Sequence, residues 1–280
     1  MSGRVLLLVD LSYQCYRASA AHPMLSCDGA FTGGLYGFFQ TFAKAVRDTG
    51  ATHVGVGQDR KPYVRSRDYP EYKQLRKKAR DEDLVRRHQE SMPMILDALA
   101  AIGISPWGVD GFEFDDVAAH AVLAGRHRYE RIWAASNDSD LWQLFGVENF
   151  ACFNSEVSDA WNGHRLRKEL DLTPEQYALS TALMGTHNDI EGIRGVGVKT
   201  ARRAARDDPA LLRQLRDKHG DVIERNLGLI RLPHAEFPGS ALPPLREADP
   251  RDLYRALGRW DIQVTDSMAR AVEQLQRGYM

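Results

Sequence analysis

Four short apolar runs in this chain each lead into acidic residues, and that recurrence narrows the possible folds to very few. The runs are Arg4–Asp10, His53–Gln58 followed by Asp59, Ile104–Val109 followed by GFEFDD, and Arg131–Ser136 followed by NDSD. Each is largely continuous in its apolarity, as expected of a strand buried on both faces. Helical patterns lie between them. Leu35, Phe38, Phe39, Phe42 and Val46 share one face of a helix over Leu35–Asp48, stopped by Gly50. A long helix runs through Met92, Ile95, Leu96 and Leu99 to Gly103, another spans Asp115–Ala124, and one starts at Ser139. Residues 149–153 supply a candidate fifth strand. Strands alternating with helices predict an α/β fold with a mainly parallel central sheet flanked by helices.

In such a sheet, functional groups gather at the carboxyl ends of the strands. Asp10, Asp59, Glu113, Asp115, Asp116, Asp138 and Asp140 would all meet there. So many carboxylates repel one another, and some must protonate unless cations neutralise them. Hard divalent ions such as Mg²⁺ and Mn²⁺ take oxygen ligands of this kind. The expectation is metal-dependent phosphate chemistry with two ions. Taken singly, Asp115 could be a helix cap and Asp10 a hydrogen-bonded core acid. Seven such coincidences at strand ends are not expected.

From about residue 165 the strand signal fades. Thr173-Pro-Glu-Gln opens a helix with Thr as cap and Pro at the first position, and helical patterns continue to the end. His234–Pro244 is rich in proline and reads as a surface loop. The expected division is an α/β core over 1–165, with a basic arch at about 60–90, and a helical region over 166–280. Within the latter, residues 192–201 read GIRGVGVKTA. Gly195 and Gly197 would allow a tight turn with positive φ, and a helix would begin near Val198 with Lys199 in its first turn. Exposed N–H groups there suit the phosphate backbone of a nucleic acid. The net charge is only −1, but residues 60–80 carry nine Lys/Arg against two acids, with Tyr63, Tyr69 and Tyr72 interleaved. Local sign matters more than the total for a polyanionic partner. No apolar run is long enough to span a bilayer, and MSGRVLLLVDLS lacks a secretory cleavage pattern. Three scattered cysteines fit a reduced, cytosolic setting.

Together these motifs resemble the 5′ nuclease family: flap endonucleases, phage 5′→3′ exonucleases and the 5′-nuclease domain of bacterial DNA polymerase I. The resemblance covers roughly residues 4–205. It rests on VDLSYQCYRA around Asp10, the strand before Asp59, and Arg65 followed by YKQLR. It continues through GFEFDD, where the family shows Gly-x-Glu-Ala-Asp-Asp, then SNDSDLWQL and GIRGVGVKTA. The resemblance implies a PIN-like 5′ nuclease core and a C-terminal helical region with a helix–three-turn–helix hairpin. It implies hydrolysis of phosphodiester bonds near DNA 5′ ends in replication or repair. By it, Asp10, Asp59, Glu113, Asp115, Asp116 and Asp138 would surround the first Mg²⁺ or Mn²⁺, and Asp138 or Asp140 would also face the second, with Asp189 a candidate for its other carboxylate. Lys73, Arg76 and Asp138 would be catalytic. Arg65, Tyr72, Lys73, Arg76, Lys77, Gly195, Gly197, Lys199 and Thr200 would contact DNA, Tyr72 by stacking on the terminal base. Carbonyls of Ile193 and Val196 would bind K⁺. The substrates implied are 5′ flaps, nicked or gapped duplex and RNA–DNA primer strands, handled by a monomer in a bacterial or phage-infected cytosol.

The chain departs from the family in the loop before the hairpin. The family's Gly-Asp-x-x-Asp-Asn-Ile-Pro-Gly is here Gly185-Thr-His-Asn-Asp-Ile-Glu-Gly192, one residue shorter and with Thr186 for the first Asp. Asp189 or Asn188 aligns with the other carboxylate. Two outcomes are open: a weak second site completed by substrate phosphate, or one remodelled around His187. A structure-specific DNA-binding protein with little turnover is the alternative function. A PIN-type ribonuclease is disfavoured by the glycine hairpin, and a full polymerase by the short helical tail.

Overall fold

The protein is described here by a computed structural model covering residues 3–75, 81–154, 158–249 and 251–279. In chain order, β1 (Val5–Asp10) runs into α1 (Leu11–Ala21), followed by a small antiparallel ribbon of β2 (Ser26–Cys27) and β3 (Ala30–Phe31). Then come α2 (Gly33–Thr49), β4 (His53–Gly57), α3 (Val64–Asp68), α4 (Glu82–Ala101) and α5 (Phe114–Gly125). β5 (Arg131–Ala135) leads through a 3₁₀ turn at Ser139–Leu144 to β6 (Phe150–Asn154) and β7 (Asp159–Trp161). The remainder is helical: α6 (Gly163–Leu170), α7 (Pro174–Met184), α8 (Val198–Arg206), α9 (Pro209–Ile230), α10 (Asp252–Gly258) and α11 (Asp266–Tyr279). The five main strands are ordered β4-β1-β5-β6-β7, parallel except for β7, which pairs antiparallel with β6.

β1 is the centre of the molecule because its side chains are buried on both faces. Leu7 and Val9 pack with α2 and α4, whereas Leu6 and Leu8 pack with α5. That period of two explains why the run shows no polar alternation. Helix α2 contributes Leu35, Phe38, Phe39, Phe42 and Val46 to the first layer, as its spacing predicts. It stops at Gly50, whose φ of +68° lets its N–H reach the carbonyls of Arg47 and Val46. The expected cap at Thr173 is present: its Oγ1 accepts from Gln176 N–H (3.2 Å) while Gln176 Oε1 accepts from Thr173 N–H (2.8 Å).

Two expectations need correction. Ile104–Val109 is not a regular strand. Only Trp107 bridges β4, through Trp107 N to Val56 O (2.8 Å) and Gln58 N to Trp107 O (2.7 Å). Pro106 has no N–H to donate and interrupts the ladder one residue earlier. The helix from Ser139 is a single 3₁₀ segment rather than an α-helix.

A third apolar cluster joins α7, α8 and α9 and also takes in Tyr63 and Tyr72 from the basic segment. The last two helices leave this region. Leu253 and Leu257 of α10 and Met268, Val272 and Leu275 of α11 are buried in the same layer as α2 and α4. Thr52 sits where the start of β1 and the end of α11 meet. It exchanges backbone and side-chain hydrogen bonds with Val5 (Thr52 N to Val5 O and Val5 N to Thr52 Oγ1, both 2.9 Å). Gly278 lies so close that a Cβ there would stand 2.3 Å from Thr52 O.

Candidate functional site

A cleft of about 660 Å³ opens at the carboxyl edge of the sheet. Asp10, Asp59, Glu113, Asp115 and Asp138 line it, so five of the seven expected acids face one space. Each is placed by local backbone chemistry. Asp10 ends β1 and caps α1, its Oδ1 accepting from Tyr13 N–H at 2.9 Å. Asp59 accepts from Phe114 N–H (2.9 Å) and from the Tyr63 hydroxyl (3.0 Å), tying the β4 end to the start of α5. Asp138 caps the 3₁₀ turn through Asp140 N–H (2.9 Å).

Asp115, Asp138 and Asp140 form the tightest group, with one oxygen from each lying within 4.8 Å of the others. Burial pushes the Asp140 carboxyl up to about 7, reinforced by the charge of Asp138. Burial and then Asp59 push Asp10 up to about 8. Asp115 is raised for the same reason, with Asp138 the strongest charged neighbour. Three hard oxygens that repel one another and are poorly hydrated are a donor set that fits a divalent cation, whose charge would offset those shifts.

One wall of the cleft is basic. Lys73 Nζ pairs with Glu113 and lies 5.1 Å and 5.6 Å from the ring centres of Tyr72 and Tyr63. Burial alone would lower the Lys73 pKa, but the adjoining Glu113 outweighs it and the net shift is upward, so the ammonium stays charged. The backbone of Lys73 is left-handed (φ +58°), and its N–H donates to Asn188 O at 2.9 Å. Arg76 and Lys77, expected beside it, lie outside the described residues.

Several expected site residues stand elsewhere. Asp116 is fully buried and turned away from the cleft. Its oxygens accept the Arg65 guanidinium twice (2.5 and 2.8 Å) and the N–H groups of His234 (2.7 Å) and Glu113 (3.3 Å). Arg65 is correspondingly no phosphate contact. It is 4% exposed, and its Nε donates to Leu229 O at 2.7 Å. Tyr72, expected to stack on a base, is 4% exposed, packs with the α7–α9 cluster and donates its hydroxyl to Glu113 (2.7 Å). Asp189 accepts from Leu75 N–H (2.8 Å), while Asn188 is the residue whose Nδ2 meets Asp140 Oδ2 (3.3 Å).

At the glycine turn, Gly195 has φ +83°, but Gly197 caps α8 with φ −88°, so only the first requires glycine for its backbone. The turn is closed by Val196 N to Ile193 O (2.9 Å). Lys199 is exposed and Thr200 partly so at the start of α8.

Sequence reasoning missed four further residues that line the cleft: Tyr13 and Tyr16 on α1, and His88 and Met92 on α4. The tyrosines stand three residues apart just beyond Asp10, a signal that was available. His88, whose ring is 6.1 Å from that of Tyr16, carried none.

Fold and site define the class: an α/β domain with a carboxylate cluster, suited to a divalent cation, at the carboxyl edge of its sheet. The chain belongs to the 5′–3′ exonuclease family, whose N-terminal resolvase-like domain matches residues 5–171. It is 33% identical over 202 residues to DNA polymerase I of Bacillus subtilis, covering 70% of this chain but only 22% of that protein. The chain thus spans about a fifth of the length of that polymerase. It is 30% identical to a 5′-3′ exonuclease of Aquifex aeolicus, over 71% of this chain and 68% of the relative. Its fold matches that of the bacteriophage T5 flap endonuclease, solved as a pseudo-enzyme–product complex with DNA and metal ions (TM-score 0.68, 20% identity, 99% of both chains).

Proposed function

We propose that this chain is a divalent-metal-dependent 5′→3′ exonuclease and flap endonuclease acting on DNA 5′ ends. The observation that carries the reading is the compact Asp115–Asp138–Asp140 group, of which Asp115 and Asp138 share one cleft with a charged lysine. Asp115, Asp138 and Asp140 would hold the metal, with Asp10 and Asp59 on the neighbouring strand ends. A bound Mg²⁺ or Mn²⁺ would supply an activated water and charge stabilisation at the leaving oxygen. Lys73 would leave Glu113 for the scissile phosphate and balance the charge that builds there. Its hold on Glu113 in the DNA-free protein keeps both groups desolvated and aimed into the cleft. Tyr13 and Tyr16 line the same cleft as Lys73 and offer rings to an unpaired 5′ strand. The turn before α8, with Lys199 and Thr200, would lie along duplex phosphates, and carbonyls of Ile193 and Val196 could share a K⁺.

The solved structure that carries metal ions and DNA supports this reading; among the described residues no helix is long and apolar enough to cross a membrane. The substrates that suit it are 5′ flaps and nicked or gapped duplexes, with RNA–DNA primer strands as a further case, cut by a monomer in the cytosol.

The test is cleavage of a 5′-labelled flap, a nicked duplex and a single strand with Mg²⁺, Mn²⁺ or EDTA. Metal-dependent cutting at the flap junction, or stepwise loss from the 5′ end, is expected. Asp138→Asn should lower turnover by about a hundredfold or more while leaving flap affinity in place. Near wild-type turnover in that variant would show that the centre is misplaced. Tight flap binding with no cleavage in either metal would favour the structure-specific binding protein instead.

A further inference from the structure

We propose that Gln143 is a positioning residue: it ties Asp140 to the end of α9, so that cleavage depends on how a duplex seats the α7–α9 unit. The inference rests on the nuclease reading and adds a link between its two halves. It starts from the C-terminal end of α9, whose last carbonyls have no partner inside the helix. Side chains of the α/β core take them. Arg65 Nε donates to Leu229 O at 2.7 Å. Gln143 Nε2 donates to Ile230 O at 2.9 Å, and Gln143 Oε1 accepts the Leu232 N–H at 3.0 Å. Asp116 Oδ1 accepts the His234 N–H at 2.7 Å. Residues 229–234 are thus gripped from α3, from the 3₁₀ turn and from α5.

The grip of Gln143 leads to the compact acidic group. Gln143 stands in the same 3₁₀ turn as Asp140, and its Nε2 also donates to Asp140 O at 2.8 Å. Both amide hydrogens and the amide oxygen are therefore in use. One planar group holds the Asp140 backbone against the end of α9, and α9 cannot shift without carrying that turn or breaking these bonds. On its other side α9 holds the loop before the glycine turn, which is closed by Thr186 N to Ile190 O (3.0 Å). Asn226, which has no exposure, donates to Ala182 O (2.8 Å) and Glu191 O (2.9 Å), and Arg225 adds a bond to Glu191 O (3.0 Å). Asn226 and Ile230 lie about one turn apart on one helix. A continuous path thus runs from the loop through Asn226 and Ile230 to Gln143 and Asp140. Bonded groups on a rigid helix and a short turn are the kind of connection that carries a shift between two sites.

The experiment compares the wild type with Gln143→Met, which keeps the length of the side chain and removes all three bonds. The first readout is single-turnover cleavage, with Mg²⁺, of a flap on duplex DNA and of the same strand alone, beside flap affinity in EDTA. Gln143→Met should cut the flap about 10–100-fold more slowly at unchanged affinity, as small misplacements of reacting groups do, and should slow the single strand by less than about threefold. Equal losses on both substrates would make Gln143 a merely structural residue and overturn the proposal, as would an unchanged flap rate. The second readout is amide hydrogen exchange with and without flap DNA in EDTA. In the wild type, DNA should slow exchange in residues 226–232 and in residues 138–144, whereas in Gln143→Met only the first stretch should respond. No slowing of 138–144 in the wild type, or the same slowing in the variant, would overturn the proposal. If Gln143→Met fails to fold by circular dichroism, Gln143→Glu, which keeps the acceptor and loses both donors, takes its place, and the wild-type exchange pattern still decides. A wild type that cuts nothing with any metal would remove the nuclease reading and leave the joint to be judged by exchange.

Discussion

At the residue scale, the acids of the cleft make stability and metal binding depend on pH together. Asp10 titrates near 8 and Asp140 near 7 in the fold, and Asp115 is also raised, all above the ordinary carboxylate value. A raised acid pKa means that the folded state binds the proton more tightly than the unfolded chain. The resulting stabilisation is complete below about pH 4 and is lost as pH rises through the folded values. In EDTA, the melting temperature should therefore fall between about pH 5 and pH 8.5, and added Mg²⁺ should restore more of it the higher the pH. Metal titration in two buffers of different ionisation heat should show proton release near neutral pH. A flat melting profile in EDTA would mean that these carboxyls are ordinary. The second residue prediction concerns Arg65. Its guanidinium is buried on Asp116, which has no exposure, so Arg65→Met would strand a charge in the interior. A loss of about 3–5 kcal/mol in urea denaturation is expected. A loss below about 1 kcal/mol would show that Asp116 has another partner or protonates cheaply.

At the scale of elements, the glycine turn separates backbone need from contact need. Gly195→Ala forces an alanine to φ +83° and should cost about 1–2 kcal/mol of stability. Gly197 has an ordinary φ and open space where a Cβ would go. Gly197→Ala should therefore leave the melting temperature unchanged. If the turn lies against DNA, it should weaken flap binding in a filter-binding or anisotropy assay, and unchanged binding would take the turn off the DNA interface. The sequence signals behind these elements were uneven. β1, β4 and β5 were legible because burial on both faces leaves an unbroken apolar run, and α2 because Leu35, Phe38, Phe39 and Phe42 repeat at helical spacing. Ile104–Val109 has the apolarity of a strand, but Pro106 within it removes a ladder donor and leaves only the bridge at Trp107. Arg65 looked like one more cation in a basic stretch, since its partner Asp116 lies 51 residues away and nothing local announces the pair. The acids at the strand ends could be found from position alone. The inward turn of Asn188 rather than Asp189 could not, because it depends on a loop closed by its own hydrogen bonds.

At the scale of the whole molecule, the tail has a role that its sequence did not disclose. Residues 252–279 were expected to be helical, with duplex contact and packing both open, and α10 and α11 lie in the layer that covers β1, with Leu253, Leu257, Met268, Val272 and Leu275 buried. Their amphipathic pattern said that one face would be covered, not by what. Ending the chain after residue 249 should expose that layer. The expected result is an aggregating product or one without a cooperative thermal transition, whereas a soluble, cooperatively folding fragment with normal cleavage would show the tail to be an accessory. The contacts of Thr52 give this arrangement a further meaning. Val5 and Gly278 both rest on that one residue, so the first strand and the last helix of the described residues lie side by side at the edge of the sheet opposite the acids. A short peptide could join them, and the chain could be opened at a surface turn instead, with the order of segments permuted and every neighbour kept. The path of the polypeptide would change while the molecule it builds did not.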